Sequence, residues 1–286
     1  GRVGLKGVVN WHNHVSWDVK GRLEKLNPKD KTLPQVAQDF LPPNLDANLS
    51  SSGSMEKGLS LKANLDFDKY ESWAIKLNQA EAKDHKAQPM LLNIAWQGID
   101  RAVPYIGWLS SAEGHTDVTL KEGQQDIYVS TKVRPHEKTL LPTGQYNARF
   151  DVKGDLLDVE RFHYQAEKGS LTGQAKVKLP NEKQQLAWQA QLQAQNFNPQ
   201  TVVATAPVNL LNGQIKATGF AKPNQQIIQF DQIDLKGQLA QAGKTETVAL
   251  KGKSTAALIF HDQKTGGGFK SFAVNYDGSL NALNQG

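Results

Sequence analysis

The residues best suited to chemistry in this chain are few and scattered. His12 and His14 are two apart, close enough for two imidazoles to approach one metal ion, but no third ligand follows nearby. The other five histidines are isolated, and there is no cysteine, so neither a thiolate metal centre nor a disulfide can form. Asp100-Arg101 and Glu160-Arg161 read as ordinary solvated charge pairs. No serine stands in a Gly-x-Ser-x-Gly elbow, and Gly266-Gly267-Gly268 lacks the Lys-Ser/Thr of a phosphate-binding loop. The reading is therefore of a protein that is not an enzyme and needs no cofactor or metal, with His12 and His14 as exposed polar residues.

What organises the chain is a repeated alternation. In Leu59–Asp68 (LSLKANLDFD), Leu59, Leu61, Ala63, Leu65 and Phe67 alternate with Ser60, Lys62, Asn64, Asp66 and Asp68. Side chains two apart share one face of a strand, so the segment has an oily side and a wet side. The same pattern predicts strands over Arg2–Asn10, His14–Leu26, Asn44–Gly53, Tyr70–Gln79, Pro89–Gly98, Glu113–Lys121 and Gln125–Arg134. It continues over Gly144–Lys153, Leu156–Gln165, Ser170–Leu179, Ile227–Phe230, Ile233–Leu239, Thr247–Gly252, Thr255–His261 and Lys270–Leu280. Gly21, inside the second of these, suits a bulge or bend. The count is about 16 to 18 strands in an antiparallel meander, joined by Gly, Asn, Asp and Lys-rich turns.

Helical spacing intrudes between strands. Leu33, Val36, Ala37, Phe40 and Leu41 fall at i, i+3, i+4, i+7 and i+8, with Thr32 and Gln35 as a capping box and Pro42-Pro43 as a stop. Ala102–Leu109 reads as a second apolar connector, and Asn198–Ala204, with an Asn cap and Pro199 behind it, as a third, helical one. The opening also repeats. Trp188 and Asn198-Pro199 correspond to Trp17 and Asn27-Pro28, and Leu171 and Leu211 to Leu5 and Leu45. One continuous repeat-built segment, residues 1–286, is expected, with repeats near 5–53 and 171–219.

Composition agrees with thin sheets rather than thick cores. Of 286 residues, 38% are hydrophobic and 8% aromatic, and mean hydropathy is −0.53. Net charge is +5, but the basic residues are scattered among acids, which disfavours nucleic acid and leaves attraction to an anionic membrane surface open. No run approaches the ~18 apolar residues of a membrane-spanning helix. Gly1–Gly7 enters in mid-pattern, so the chain reads as a monomeric fragment cut from a longer polypeptide.

Three structures share such alternation: a membrane barrel, a sealed barrel or sandwich, and an open curled sheet whose oily face lines a groove for something apolar. The aromatics fall at varied strand positions rather than in two girdles, which argues against the first. The strand number, low apolar content and repeats argue against the second. The expected groove lining is Val15, Trp17, Val19, Leu59, Leu61, Leu65, Phe67, Trp73, Ile75, Leu77, Leu92, Ile94, Trp96, Ile127, Val129, Tyr146, Phe150, Trp188, Ile215 and Phe230. Trp17 and Trp188 fit either a trough wall or a plain core anchor.

The strand Leu5–Trp11 (LKGVVNW), followed by Val15–Pro28 (VSWDVKGRLEKLNP), a Leu/Pro-containing link and a strand ending in Gly (Leu45–Gly53), resembles the TamB family of AsmA-like Gram-negative envelope proteins; Leu171–Gly219 is a weaker echo. The resemblance implies an inner-membrane-anchored protein that crosses the periplasm as a taco-shaped β-groove. It implies phospholipid acyl chains as cargo between the two membranes, a TamA-like partner of the BamA family in the outer membrane, and a part in outer-membrane protein assembly. The second reading of function is a scaffold that accepts strands of unfolded outer-membrane proteins by β-augmentation at a terminal strand.

Overall fold

The computed structural model describes residues 1–11, 15–27, 44–54, 58–67, 70–81, 88–103, 107–135, 142–180, 185–201, 205–222, 225–241, 244–260 and 269–283. They form two compact units, Gly1–Thr143 and Gly144–Gly286. Unit 1 comprises β1 (Arg2–Asn10), β2 (Ser16–Leu26), β3 (Leu45–Ser54), β4 (Gly58–Phe67), β5 (Glu71–Gln79), β6 (Met90–Gln97), β7 (Arg101–Val103), β8 (Gly107–Lys121) and β9 (Gln124–Pro135). Unit 2 comprises β10 (Gly144–Lys153), β11 (Leu156–Gln165), β12 (Ser170–Lys178), β13 (Ala187–Phe197), β14 (Val208–Lys222), β15 (Gln225–Gln241), β16 (Lys244–Phe260) and β17 (Phe269–Leu283).

Within each unit, strands pair antiparallel with their sequence neighbours. The only detour is short β7, which pairs with the start of β8 while β6 takes the remainder. Neither unit closes on itself: β1 does not pair with β9, nor β10 with β17. The fold is all-β, antiparallel and open, as the alternation implies.

A strict two-residue period would flip an oily face wherever its phase slips, and bulges prevent this. Two residues stand against one at Glu24-Lys25 opposite Asp46, Gln195-Asn196 opposite Asn212, and Asp231-Gln232 opposite Lys253. Leu23 and Leu26 thereby share a face, as do Ala194 and Phe197. At the first two bulges the second residue turns left-handed, Lys25 at φ 51° and Asn196 at φ 48°. Its freed N–H then donates to the side chain opposite, Lys25 to Asp46 Oδ1 at 2.7 Å and Asn196 to Asn212 Oδ1 at 2.8 Å.

The structure corrects four expectations. Ile227–Phe230 and Ile233–Leu239 are one strand, β15, because the polar Asp231-Gln232 pair is a bulge within it rather than a turn. Thr247–Gly252 and Thr255–His261 are likewise the single β16, which ends at Phe260. Gly21 holds regular register with Leu5 and Leu49, and the bend falls instead at Glu24-Lys25. In the connector Ala102–Leu109, residues 101–103 and 107–109 pair as strands. Of helical structure, the described residues hold one 3-10 turn, Pro199–Thr201, inside the third connector. The predicted helix over 33–41, His12 and His14, and Gly266–Gly268 lie outside the described residues. No helix among the described residues is long and apolar enough to cross a membrane.

Candidate functional site

Cross-strand register converts the alternation into continuous faces. In unit 1, Val19, Ser51, Leu61, Leu77, Leu92, Val118 and Ile127 stand in one row from β2 to β9. The next row is Gly21, Leu49, Ala63, Ile75, Ile94, Thr116 and Val129, and the next Leu23, Ala47, Leu65, Trp73, Trp96, Gly114 and Thr131. In unit 2, Phe150, Val159, Ala175, Ala190, Ala217, Phe230 and Ser254 form one row, and Val152, Leu157, Val177, Trp188, Gly219, Ile228 and Ala256 another.

Each unit therefore carries one uninterrupted, mainly apolar face. Every expected lining residue within a strand lies on the face of its own unit; Val15 precedes β2 and is 41% exposed. Sequence reasoning missed Leu49 and Val118 in unit 1, and Phe162, Leu192, Leu235 and Leu250 in unit 2. Their strands alternate too, but only register shows which neighbours complete a row.

The two ends of each face differ. At one end of unit 1, Leu45, Ala47 and Phe67 are buried, with Leu23, Leu26, Leu49, Leu65 and Trp73 packed around them. Phe67, at 1% exposure, is core. Beside it Glu71 is buried on the same face, held by Arg101 from β7 through Nε (2.8 Å) and Nη2 (3.0 Å), and it accepts Trp73 Nε1–H at 2.9 Å. The guanidinium fork and the indole supply the hydrogen bonds that water would otherwise give this carboxylate. The matching end of unit 2 is aromatic: Tyr164, Ala194 and Phe197 are buried, and Tyr146 stacks on Tyr164 with ring centres 4.7 Å apart. Burial pushes both phenols above their ordinary pKa; Tyr146 is raised further by the neighbouring Tyr164, and a hydrogen bond with Thr201 partly offsets the rise at Tyr164.

Away from these ends the faces are half-open. Leu61, Ile75, Leu77, Leu92, Ile94, Ile127, Val129, Phe150, Ile215 and Phe230 are all half-buried. The accessible surface is 19537 Å², against the ~12,000 Å² expected of a compact globule of this mass. Among the described residues, no second sheet covers either face. Trp17 and Trp188 are half-buried as well, each with its ring against the glycine directly across the strand pair, Gly53 and Gly219. Trp17 also donates its Nε1–H to Ser51 Oγ at 2.9 Å. Rings so placed fill the hole a glycine leaves and keep their outer side toward solvent. Among the described residues no three His, Cys, Asp or Glu side chains converge for a metal ion.

Apart from the Glu71–Arg101 pair at one end, such a face is mainly apolar and can shelter hydrocarbon. In the comparisons with known proteins, the family model for the TamB N-terminal domain matches residues 122–264, which is 143 of the 286 residues. The match takes in the echo at 171–219 and leaves the opening strands outside it. No curated protein and no solved structure matches the chain. With half its length under that family's model, on strands β9 to β16, the chain belongs to the TamB family.

Proposed function

We propose that the apolar face of each unit is a trough that shields phospholipid acyl chains in the periplasm, as part of an inner-membrane-anchored protein passing lipid between inner and outer membranes. The observation that carries this is the half-open row structure: mainly apolar rows run over seven strands of unit 1, and among the described residues no second sheet covers them. Monomers do not keep such area bare without a ligand or covering partner. Each methylene withdrawn from water is worth ~0.8 kcal/mol, so a chain needs no polar contact to stay. A face of similar rows has no deep well, and hydrocarbon can slide along it. The link to outer-membrane protein assembly, through a TamA-like partner, rests on family membership alone. The repeat near 5–53 and 171–219 is proposed as the building unit, supported by the twin left-handed bulges at Lys25 and Asn196 and the twin Trp-over-Gly pairs.

The test is native mass spectrometry of the purified chain with extraction of its lipid, followed by loading with a fluorescent phospholipid. Co-purifying phospholipid and saturable loading are expected; a lipid-free protein that takes up no probe overturns the reading. The alternative, strand addition by an unfolded outer-membrane protein, is favoured by β1. Its nine residues are all exposed and in unit 1 it pairs with β2 alone. Proline at Lys6 would abolish that activity and spare lipid, whereas aspartate at Ile75 would do the reverse.

A further inference from the structure

On the polar side of unit 1, register brings Lys6, Lys20, Lys62 and Lys76 into one cross-strand row with Ser50 between the inner two. Lys6 stands directly opposite Lys20, and Lys62 directly opposite Lys76. Like charges so placed repel and weaken a sheet. By contrast, Lys132 faces Glu113, Lys176 faces Asp158 and Lys251 faces Asp234, although single like-charged pairs also occur at Asp46–Asp66, Arg149–Arg161 and Asp151–Asp158. The four lysines of the row are exposed and none has an ion pair among the described residues. Arg22, on the flank, is occupied by Glu24 at 3.1 Å, and among the described residues Asp18 is the one carboxylate adjoining the row.

The row borders an open depression of about 590 Å³ whose lining includes Lys6, Lys20, Lys62 and Arg22, with Ser50 between the lysines and the apolar Leu5 and Leu49 beside them. Strand spacing puts the row at roughly 19 Å end to end.

We propose that this row docks the protein on an anionic phospholipid surface. The lysines are flexible point charges on an open sheet face, without the enclosure or bidentate forks that would grip one small anion. A line of unopposed charge of this length suits a plane of phosphate headgroups, and the repulsion it stores is relieved only when anions lie over it. The row is on the side opposite the apolar face, so docking leaves the trough unobstructed.

The experiment is co-sedimentation of the whole chain with phosphatidylcholine vesicles with and without phosphatidylglycerol. Each lysine near such a surface contributes roughly a fivefold gain in partition. Replacing Lys6, Lys20, Lys62 and Lys76 together with Gln is expected to lower phosphatidylglycerol-dependent binding by about two to three orders of magnitude at low salt. The control, Lys132, Lys176 and Lys251 replaced by Gln, is expected to lower it by less than about fivefold. Melting curves establish that each variant folds. Equal loss in the control variant, wild-type-like binding by the quadruple variant, or full displacement from vesicles by free pyrophosphate would overturn the proposal. Failure of lipid loading in the trough, with this binding intact, would leave it standing.

Discussion

An aspartate at Ile75 and an aspartate at Phe67 separate an open trough from a sealed core. Both positions are on the apolar face of unit 1, but Phe67 is 1% exposed within the Leu45, Ala47 cluster, and Ile75 is half-buried between Ala63 and Ile94. Burying an Ile fully is worth 1.5–3 kcal/mol, so Ile75→Asp forfeits about 1 kcal/mol and its carboxylate stays hydrated, lowering Tm by roughly 3–6 °C. Phe67→Asp loses about 3–5 kcal/mol of packing and strands a charge in the core as well, which exceeds what one unit can sustain. For bound lipid the order reverses. A hydrocarbon chain lying over Ile75 that must withdraw about four methylenes from the new carboxylate loses roughly 3 kcal/mol, more than a hundredfold in occupancy. Melting by circular dichroism and the lipid-to-protein ratio by native mass spectrometry read the two effects separately. An Ile75→Asp protein that keeps its full lipid, or that unfolds as Phe67→Asp does, refutes the trough.

Arg101→Ala leaves the Glu71 carboxyl buried without its guanidinium partner and should cost about 3–5 kcal/mol in a urea melt, with Glu71→Gln added to Arg101→Ala recovering part of the loss. Lys25→Gly should raise the unfolding midpoint by about 0.5–1 kcal/mol equivalent, because glycine takes φ 51° without strain while the Asp46 contact persists. Tyr146 and Tyr164 have pKa values raised by folding, so the unfolded chain releases their protons first. Their contribution is whole below about pH 10 and is lost as pH climbs above it. A Tyr146→Phe, Tyr164→Phe double variant should show a shallower decline in stability above pH 10 by pH-dependent denaturation. Gly219→Ala drives a methyl into the Trp188 ring and should cost about 1–3 kcal/mol, with a shifted tryptophan emission.

Much of the fold was legible because a two-residue period leaves little choice. Arg2–Asn10, Gly144–Lys153 and Leu156–Gln165 are strands with the bounds the alternation assigns. The reading failed where the period slips. Asp231-Gln232 looks like a turn, since polar pairs usually end strands, yet with a partner on each side the extra residue is absorbed as a bulge. The apolar spacing of Ala102–Leu109 was ambiguous for the same reason that any short oily run is, and pairing with β8 decided it. For the candidate site, periodicity identified the face but not its gradient. Nothing local distinguishes Phe67 from Leu61; the difference is that Phe67 lies level with Glu71 and the Leu45 cluster, at the end where β7 delivers Arg101. The lysine row was likewise invisible in one dimension, because Lys6, Lys20, Lys62 and Lys76 meet only through four registers.

Because each strand within a unit finds its lateral partner in the adjoining stretch of polypeptide, assembly never has to wait for a distant segment. A nascent chain entering an extracytoplasmic space could zip up behind the translocation pore, each arriving strand meeting an edge already formed. The same bookkeeping of neighbours makes length a free variable: a hairpin gained or deleted within a unit shifts no pairing beyond its own borders. Each hairpin gained or lost would change the width of a unit's sheet by about 10 Å.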